Sequence, residues 1–253
     1  MLLRLLFDGT PMNIIVIYII TSVPAIVLSL SIHEWAHAWV AYLLGDPTAY
    51  YEGRMTINPM KHLDPIGMAA LLIVGIGWAK PVPIDSRYLK YPRWYTVLIS
   101  LAGPFSNLLL AFLSWPIMRL LTYITVQNEF LLKVIYVFII FFYLVFFYNI
   151  TLAVFNCLIL PPLDGSRIIL ALLPTKAYVW VVRHEVQIRY ITLGIFLVTS
   201  FIRINGSSIL SIVIDFLSSP IIIAFVSFWS LIIPNTEVSI GNMINALNNL
   251  MRW

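Results

Sequence analysis

Long apolar runs separated by short polar breaks dominate the chain, near residues 12–44, 94–118, 130–158, 188–203 and 208–233. A membrane span needs about 20 apolar residues at 1.5 Å rise per residue. The first run is therefore long enough to cross and protrude, with Pro24 a place for a kink. The 188–203 run is short for a crossing. One more apolar stretch, "IGMAALLIVGIGW" at 66–78, is too short to span as a helix. Pro65 and Pro81 flank it and Gly75 and Gly77 interrupt it, which predicts a re-entrant or strand-like segment. Non-helical backbone at membrane depth survives only when it is buried in protein or lines a wet cavity. The expected fold class is an all-α integral membrane protein of five to six hydrophobic helical segments, with this short excursion after the first helix.

Composition agrees with the pattern. Of 253 residues, 61% are hydrophobic and 10% charged, with mean hydropathy +0.94, against roughly 25% charged and 45–50% apolar in a soluble domain. Residues 1–253 read as one transmembrane domain, with no soluble domain to carry function elsewhere. The net charge of +4 is modest. Its basic residues lie in loops, where they suit anionic headgroups and topology better than nucleic acid. Cys157 is the sole cysteine, so no internal disulfide forms. If the first helix runs from one side to the other, the 66–78 segment returns, and later helices alternate, eleven of the fifteen Lys and Arg residues fall where the first helix ends. The positive-inside rule makes that side cytoplasmic in a multi-pass cell-membrane protein.

The chemistry lies in "LSLSIHEWAHAWVAYLLG", residues 28–45. His33-Glu34-Trp35-Ala36-His37 matches H-E-x-x-H, which on a helix puts both imidazoles on one face, one turn apart. They can reach one tetrahedral zinc, with Glu34 beside them as general base for a water. With four histidines in the chain, chance gives such a motif roughly 0.1% of the time. Uncompensated ionisable groups inside an apolar helix cost at least ~2.5 kcal/mol each, so the location points to function. His37 precedes Gly45 by eight residues, so it lies about 12 Å inside the cytoplasmic end of the helix.

Catalytic zinc commonly takes three protein ligands plus water. His62 and His184 lie in loops; Asp164 and Asp215 are the candidate carboxylates. Asp164 sits in "FNCLILPPLDGSR", where Pro161 and Pro162 forbid a regular helix and Gly165 allows a sharp turn. It is equally placed to cap a helix over 166–173, while Asp215 reads more simply as a buried, paired or neutral acid. "FIIFFYLVFFY", 138–148, reads as lipid-facing and packing surface, and Trp78, Trp94 and Trp115 as interface-belt residues.

Several ordered stretches together carry a resemblance: "HEWAHAWVAYLLGDPTA", "GRMTINPMKHLDPIG", "GWAKPVPID", "LAGPFSN" and "FNCLILPPLDGSR". With them the chain resembles the site-2 protease family of intramembrane zinc metalloproteases, over about residues 24–200. It looks closest to the compact prokaryotic branch without PDZ or CBS domains, since the 119–129 connection is too short for a PDZ domain. The resemblance implies zinc ligands His33, His37 and Asp164, Glu34 as base, and Asn156 as a substrate-binding residue with an amide for a peptide carbonyl. It also places Asn107, within Gly103-Pro-Phe-Ser-Asn107, beside the site as a substrate contact. The bland reading of that motif is close packing at Gly103 with Asn107 as interhelical glue. Gly75-Ile76-Gly77 takes the place of a loop that presents an edge to an extended substrate. Where many relatives have a proline, this chain has Ile159, which would let the preceding helix run further toward Asp164. The implied partner is a transmembrane protein or peptide substrate in the lipid bilayer, chosen by the bundle itself, an oligomer or a regulatory membrane partner. Two other functions compete: an inactive membrane adaptor with a structural zinc site, and a metal transporter. An intact Glu34 argues against the first, and clustering of the ligands on one side of the midplane against the second.

Overall fold

The computed structural model describes residues 9–74, 77 and 79–233, with the backbone alone over 71–74. Four described helices are long and apolar enough to cross a membrane. They are α1 (Met12–Leu43), α3 (Pro92–Leu121), α4 (Glu129–Asn156) and α8 (Ile209–Ile232). Local chemistry sets their starts. Pro92 opens α3 at a position where a missing N–H costs nothing. The Asn128 side chain accepts from Leu131 N–H at the start of α4, and Ser208 accepts from Ser211 N–H at the start of α8. α1 continues through Pro24 without a break.

Helices α1, α3 and α4 pack against one another, and α8 lies outside them against α4 and α3. The core between α3, α4 and α8 holds Ala111, Trp115, Met118, Ile139, Phe146, Ile150, Val154 and Ile214. Trp115 is thus not an interface-belt residue: its ring packs on Phe146 at 4.7 Å between centroids. Trp94 is exposed, and Trp78 lies outside the described residues. The 138–148 run is divided rather than wholly lipid-facing, with Ile139, Val145 and Phe146 buried and Phe138 exposed. On α8, Trp229 Nε1–H donates to Phe112 O at 2.9 Å, while Asp215 is exposed rather than buried.

Of the segment expected to be re-entrant or strand-like, the described part up to Val74 is helical rather than strand-like: α2 (Pro65–Val74). Asp64 accepts from Gly67 N–H at 2.8 Å, a helix start that its place before Pro65 announces. Met68, Ala69, Ala70, Leu71 and Leu72 favour helix. The excursion does return to its origin. Leu63 pairs with Ala79 in an antiparallel bridge, and Lys80 N–H donates to His62 O at 2.8 Å. Gly75 and Ile76, the proposed substrate edge, lie outside the described residues.

After α4, three shorter helices follow: α5 (Ser166–Leu172), α6 (Thr175–Arg183) and α7 (Glu185–Phe201). With 17 residues, α7 is about 25 Å long, below the roughly 30 Å hydrocarbon core. It is joined to α8 by a tight hairpin of β1 (Arg203–Ile204) and β2 (Ser207–Ser208). Asn205 and Gly206 turn it with φ of 51° and 84°, the backbone that two-residue hairpins require.

Candidate metal centre

His33 and His37 occupy successive turns of α1 and are 5% and 6% exposed. Their Nε2 atoms lie 3.0 Å apart. Asp164, from the loop after α4, brings Oδ2 to 3.1 Å from His33 Nε2 and 3.2 Å from His37 Nε2. Three donors bound at about 2.0–2.1 Å around a tetrahedral ion stand about 3.3 Å apart, so this triangle has the size of one face of such a site. Asp164 Oδ2 is buried. Burial pushes the Asp164 carboxyl up, but the His33 and His37 imidazoles against it outweigh that and hold it below the usual carboxylate range. Among the described residues this is the one group of three with metal-ligating geometry. Asp215 lies outside it. His184 Nδ1–H donates to Trp180 O and His62 Nε2–H to Thr56 O, so neither histidine joins the cluster.

The loop that delivers Asp164 is built by close approach. α4 ends at Asn156, so Ile159 does not prolong it: Gly165 N–H donates to Asn156 O at 2.7 Å and folds the chain back. A Cβ on Gly165 would strike the Cys157 carbonyl and sit 2.7 Å from Leu158 O. Its φ of −57° is ordinary, so the glycine is needed for space and not for handedness. Asp164 does not cap α5, whose N-cap is Gly165 with no side-chain bond.

Helix α3 braces both histidines with one stripe, Ile99, Gly103 and Asn107, spaced one turn apart. His37 Nδ1–H donates to Ile99 O at 2.7 Å. Asn107, fully buried, places Nδ2 3.2 Å from His33 Nδ1. At Gly103 a Cβ would fall 2.5 Å from His33 Cε1 and 2.6 Å from His33 Nε2. Asn107 therefore stands behind a histidine, with no surface to meet a substrate. Asn156 is half-buried, its Nδ2 donating to Leu152 O one turn back at 3.0 Å.

Glu34 is half-buried and reaches a strap over 79–85. Val82 N–H donates to Glu34 Oε2 at 3.2 Å. Three buried polar residues that the sequence reading did not single out for this role hold the strap. Arg54 Nη2–H donates to Lys80 O at 2.7 Å and Pro81 O at 3.2 Å. Asp46 accepts from Asp85 N–H at 2.7 Å, and the His62 carbonyl from Lys80 N–H. Their presence in "GDPTA", "GRMTINP" and "KHLDP" was the available signal, since polar groups in short motifs beside an active helix are seldom idle.

Fold and site together define a multi-helix membrane protein with a buried His-His-Asp cluster beside a glutamate. The chain is 42% identical over 158 residues to "Putative zinc metalloprotease YwhC" of Bacillus subtilis, covering 59% of this chain and 67% of that protein. It is 38% identical over 95 residues to "Putative zinc metalloprotease Rip2" of Mycolicibacterium smegmatis, 34% of this chain and 35% of the relative. Rip2 of Mycobacterium tuberculosis H37Rv is 35% identical over 100 residues, 37% and 38% of the two chains. No family model and no solved structure matches. The chain belongs to the site-2 protease family of zinc metalloproteases.

Proposed function

We propose that this protein is an intramembrane zinc endopeptidase that hydrolyses peptide bonds within or near transmembrane segments of membrane-protein substrates. The observation that carries the reading is the convergence of His33, His37 and Asp164 to 3.0–3.2 Å, from two segments more than 120 residues apart. The donor set fits zinc in type, spacing and charge. Zinc held there supplies Lewis acidity toward a peptide carbonyl and makes a water acidic enough to attack at neutral pH.

The chain's own residues do the rest. His33 and His37 present Nε2, and Ile99 O holds the His37 ring in the required tautomer. Glu34, aimed by Val82 N–H, accepts the proton of the attacking water and returns it to the leaving amine. The half-buried Asn156 is the substrate-side amide, close in sequence to Asp164 and able to donate to a carbonyl oxygen once it releases Leu152 O. A substrate helix must unwind first, because helical carbonyls are already hydrogen-bonded. The Lys/Arg asymmetry supports a cell-membrane protein with the site toward the cytoplasm.

Purified protein incubated with a candidate single-span substrate tests this. Glu34→Gln retains zinc and lowers the cleavage rate by about 10²–10⁴-fold, as loss of a general base does. His33→Ala loses the zinc. Undiminished cleavage by Glu34→Gln, or wild-type protein that takes up no zinc, overturns the reading.

A further inference from the structure

The two histidines are held from behind by unlike groups. His37 Nδ1 faces the carbonyl of Ile99, which only accepts, so its proton stays on Nδ1 and Nε2 keeps a lone pair for a metal. His33 Nδ1 faces the amide of Asn107, which can donate or accept. As the structure stands, Nδ2–H of Asn107 donates to His33 Nδ1 at 3.2 Å, and a neutral His33 then carries its proton on Nε2, which lies 3.0 Å from His37 Nε2. In that arrangement His33 has no lone pair for a cation. Asn107 Oδ1 meanwhile is buried without a hydrogen-bond partner, a costly state for a polar atom in a membrane protein core. Turning the amide by half a revolution exchanges two ends of nearly equal size and gives Oδ1 a donor, with Nδ2 taking its former place. Oδ1 then accepts from His33 Nδ1–H, and Nε2 is free to ligate.

We propose that Asn107 is the positioning residue for His33, its Oδ1 accepting from Nδ1–H and so holding His33 in the tautomer whose Nε2 can ligate a metal. Resting on the zinc reading above, the inference assigns Asn107 to the ligand rather than to the substrate. It also explains the residue type. A leucine supplies no partner for Nδ1–H, whereas an aspartate supplies the acceptor.

Zinc affinity, measured by chelator competition on purified full-length protein, separates the possibilities without recourse to activity. Asn107→Leu weakens zinc by about 10–100-fold, the usual cost of losing the partner behind a metal-bound histidine. Asn107→Asp binds at least as tightly as wild type, because a carboxylate accepts from Nδ1–H in the loaded state. Equal affinity in Asn107→Leu and wild type overturns the proposal, and so does an Asn107→Asp that is as weak as Asn107→Leu. If Asn107→Leu does not fold, Asn107→Asp decides alone: retained affinity supports the proposal and weakened affinity overturns it. Wild-type protein without zinc overturns the functional reading and this one with it, whereas zinc binding indifferent to Asn107 overturns this one only.

Discussion

A Cβ at Gly103 would come within 2.6 Å of both His33 Cε1 and His33 Nε2, so the hydrogen in place of a side chain is what lets α3 lie against the ligand pair. Gly103→Ala pushes the imidazoles off the triangle. We expect it to lower zinc affinity by at least about tenfold while the apparent molecular mass in detergent stays that of wild type; zinc content after dialysis reads it. Gly165→Ala acts on the third ligand. The atoms a Cβ would meet are backbone of Cys157 and Leu158, which cannot swing aside like a side chain. The overpacking costs about 1–3 kcal/mol, read as a lower unfolding midpoint, and it moves Asp164 away from the histidines.

At the scale of elements, the catalytic helix and its strap form one unit. Arg54 is 6% exposed and binds two carbonyls of the strap, and the next N–H along, that of Val82, meets Glu34. Hydrogen bonds to a charged group are each worth about 1.5–3 kcal/mol, so Arg54→Met lets the strap lift from α1. The expected result is a loss of cleavage with zinc content unchanged, which separates aiming of Glu34 from construction of the metal site. Helices α1 and α4 are joined separately: Asn149 Nδ2 donates to Ser29 Oγ and to Val145 O, both at 2.7 Å. Removing such an intramembrane bond costs about 0.6–2 kcal/mol, so Asn149→Leu shifts the unfolding midpoint in detergent and leaves zinc binding intact.

For the whole molecule, the site has a side. Asp164 follows the C-terminal end of α4, and the histidines lie near the C-terminal end of α1, which the proposed topology puts on the face with most of the lysines and arginines. The exposed Ser86 belongs to that face. In a Cys157→Ser background, Ser86→Cys should resist a membrane-impermeant maleimide in intact cells and react in inside-out vesicles. Labelling of intact cells would reverse the orientation. The same four spanning helices leave α7 at the margin, where Phe155 touches Phe196 with centroids 5.1 Å apart.

Local signals were legible in the sequence because they depend on neighbours a few residues away. The i, i+4 spacing of His33 and His37 needed only a helix, and the apolar runs placed the four spans within a few residues of their observed ends. The helical start at Asp64-Pro65 was equally local, yet Gly75 and Gly77 drew attention to strand character. What tertiary structure alone decided is contact across long stretches of chain. Asp164 and Asp215 are alike in composition, and only the fold of the 157–165 loop brings the first to the histidines and leaves the second on an outer helix. Trp115 has a belt residue's chemistry and a core residue's position, because packing against Phe146 selects its face. Asn107 is 74 residues from His33, and no periodicity reveals which amide stands behind which imidazole. Sequence determined which groups are available and on which faces of their own helices they lie. Packing of α1 against α3 and α4 decided which of them meet, since burial in a shared core couples residues that the chain itself keeps apart.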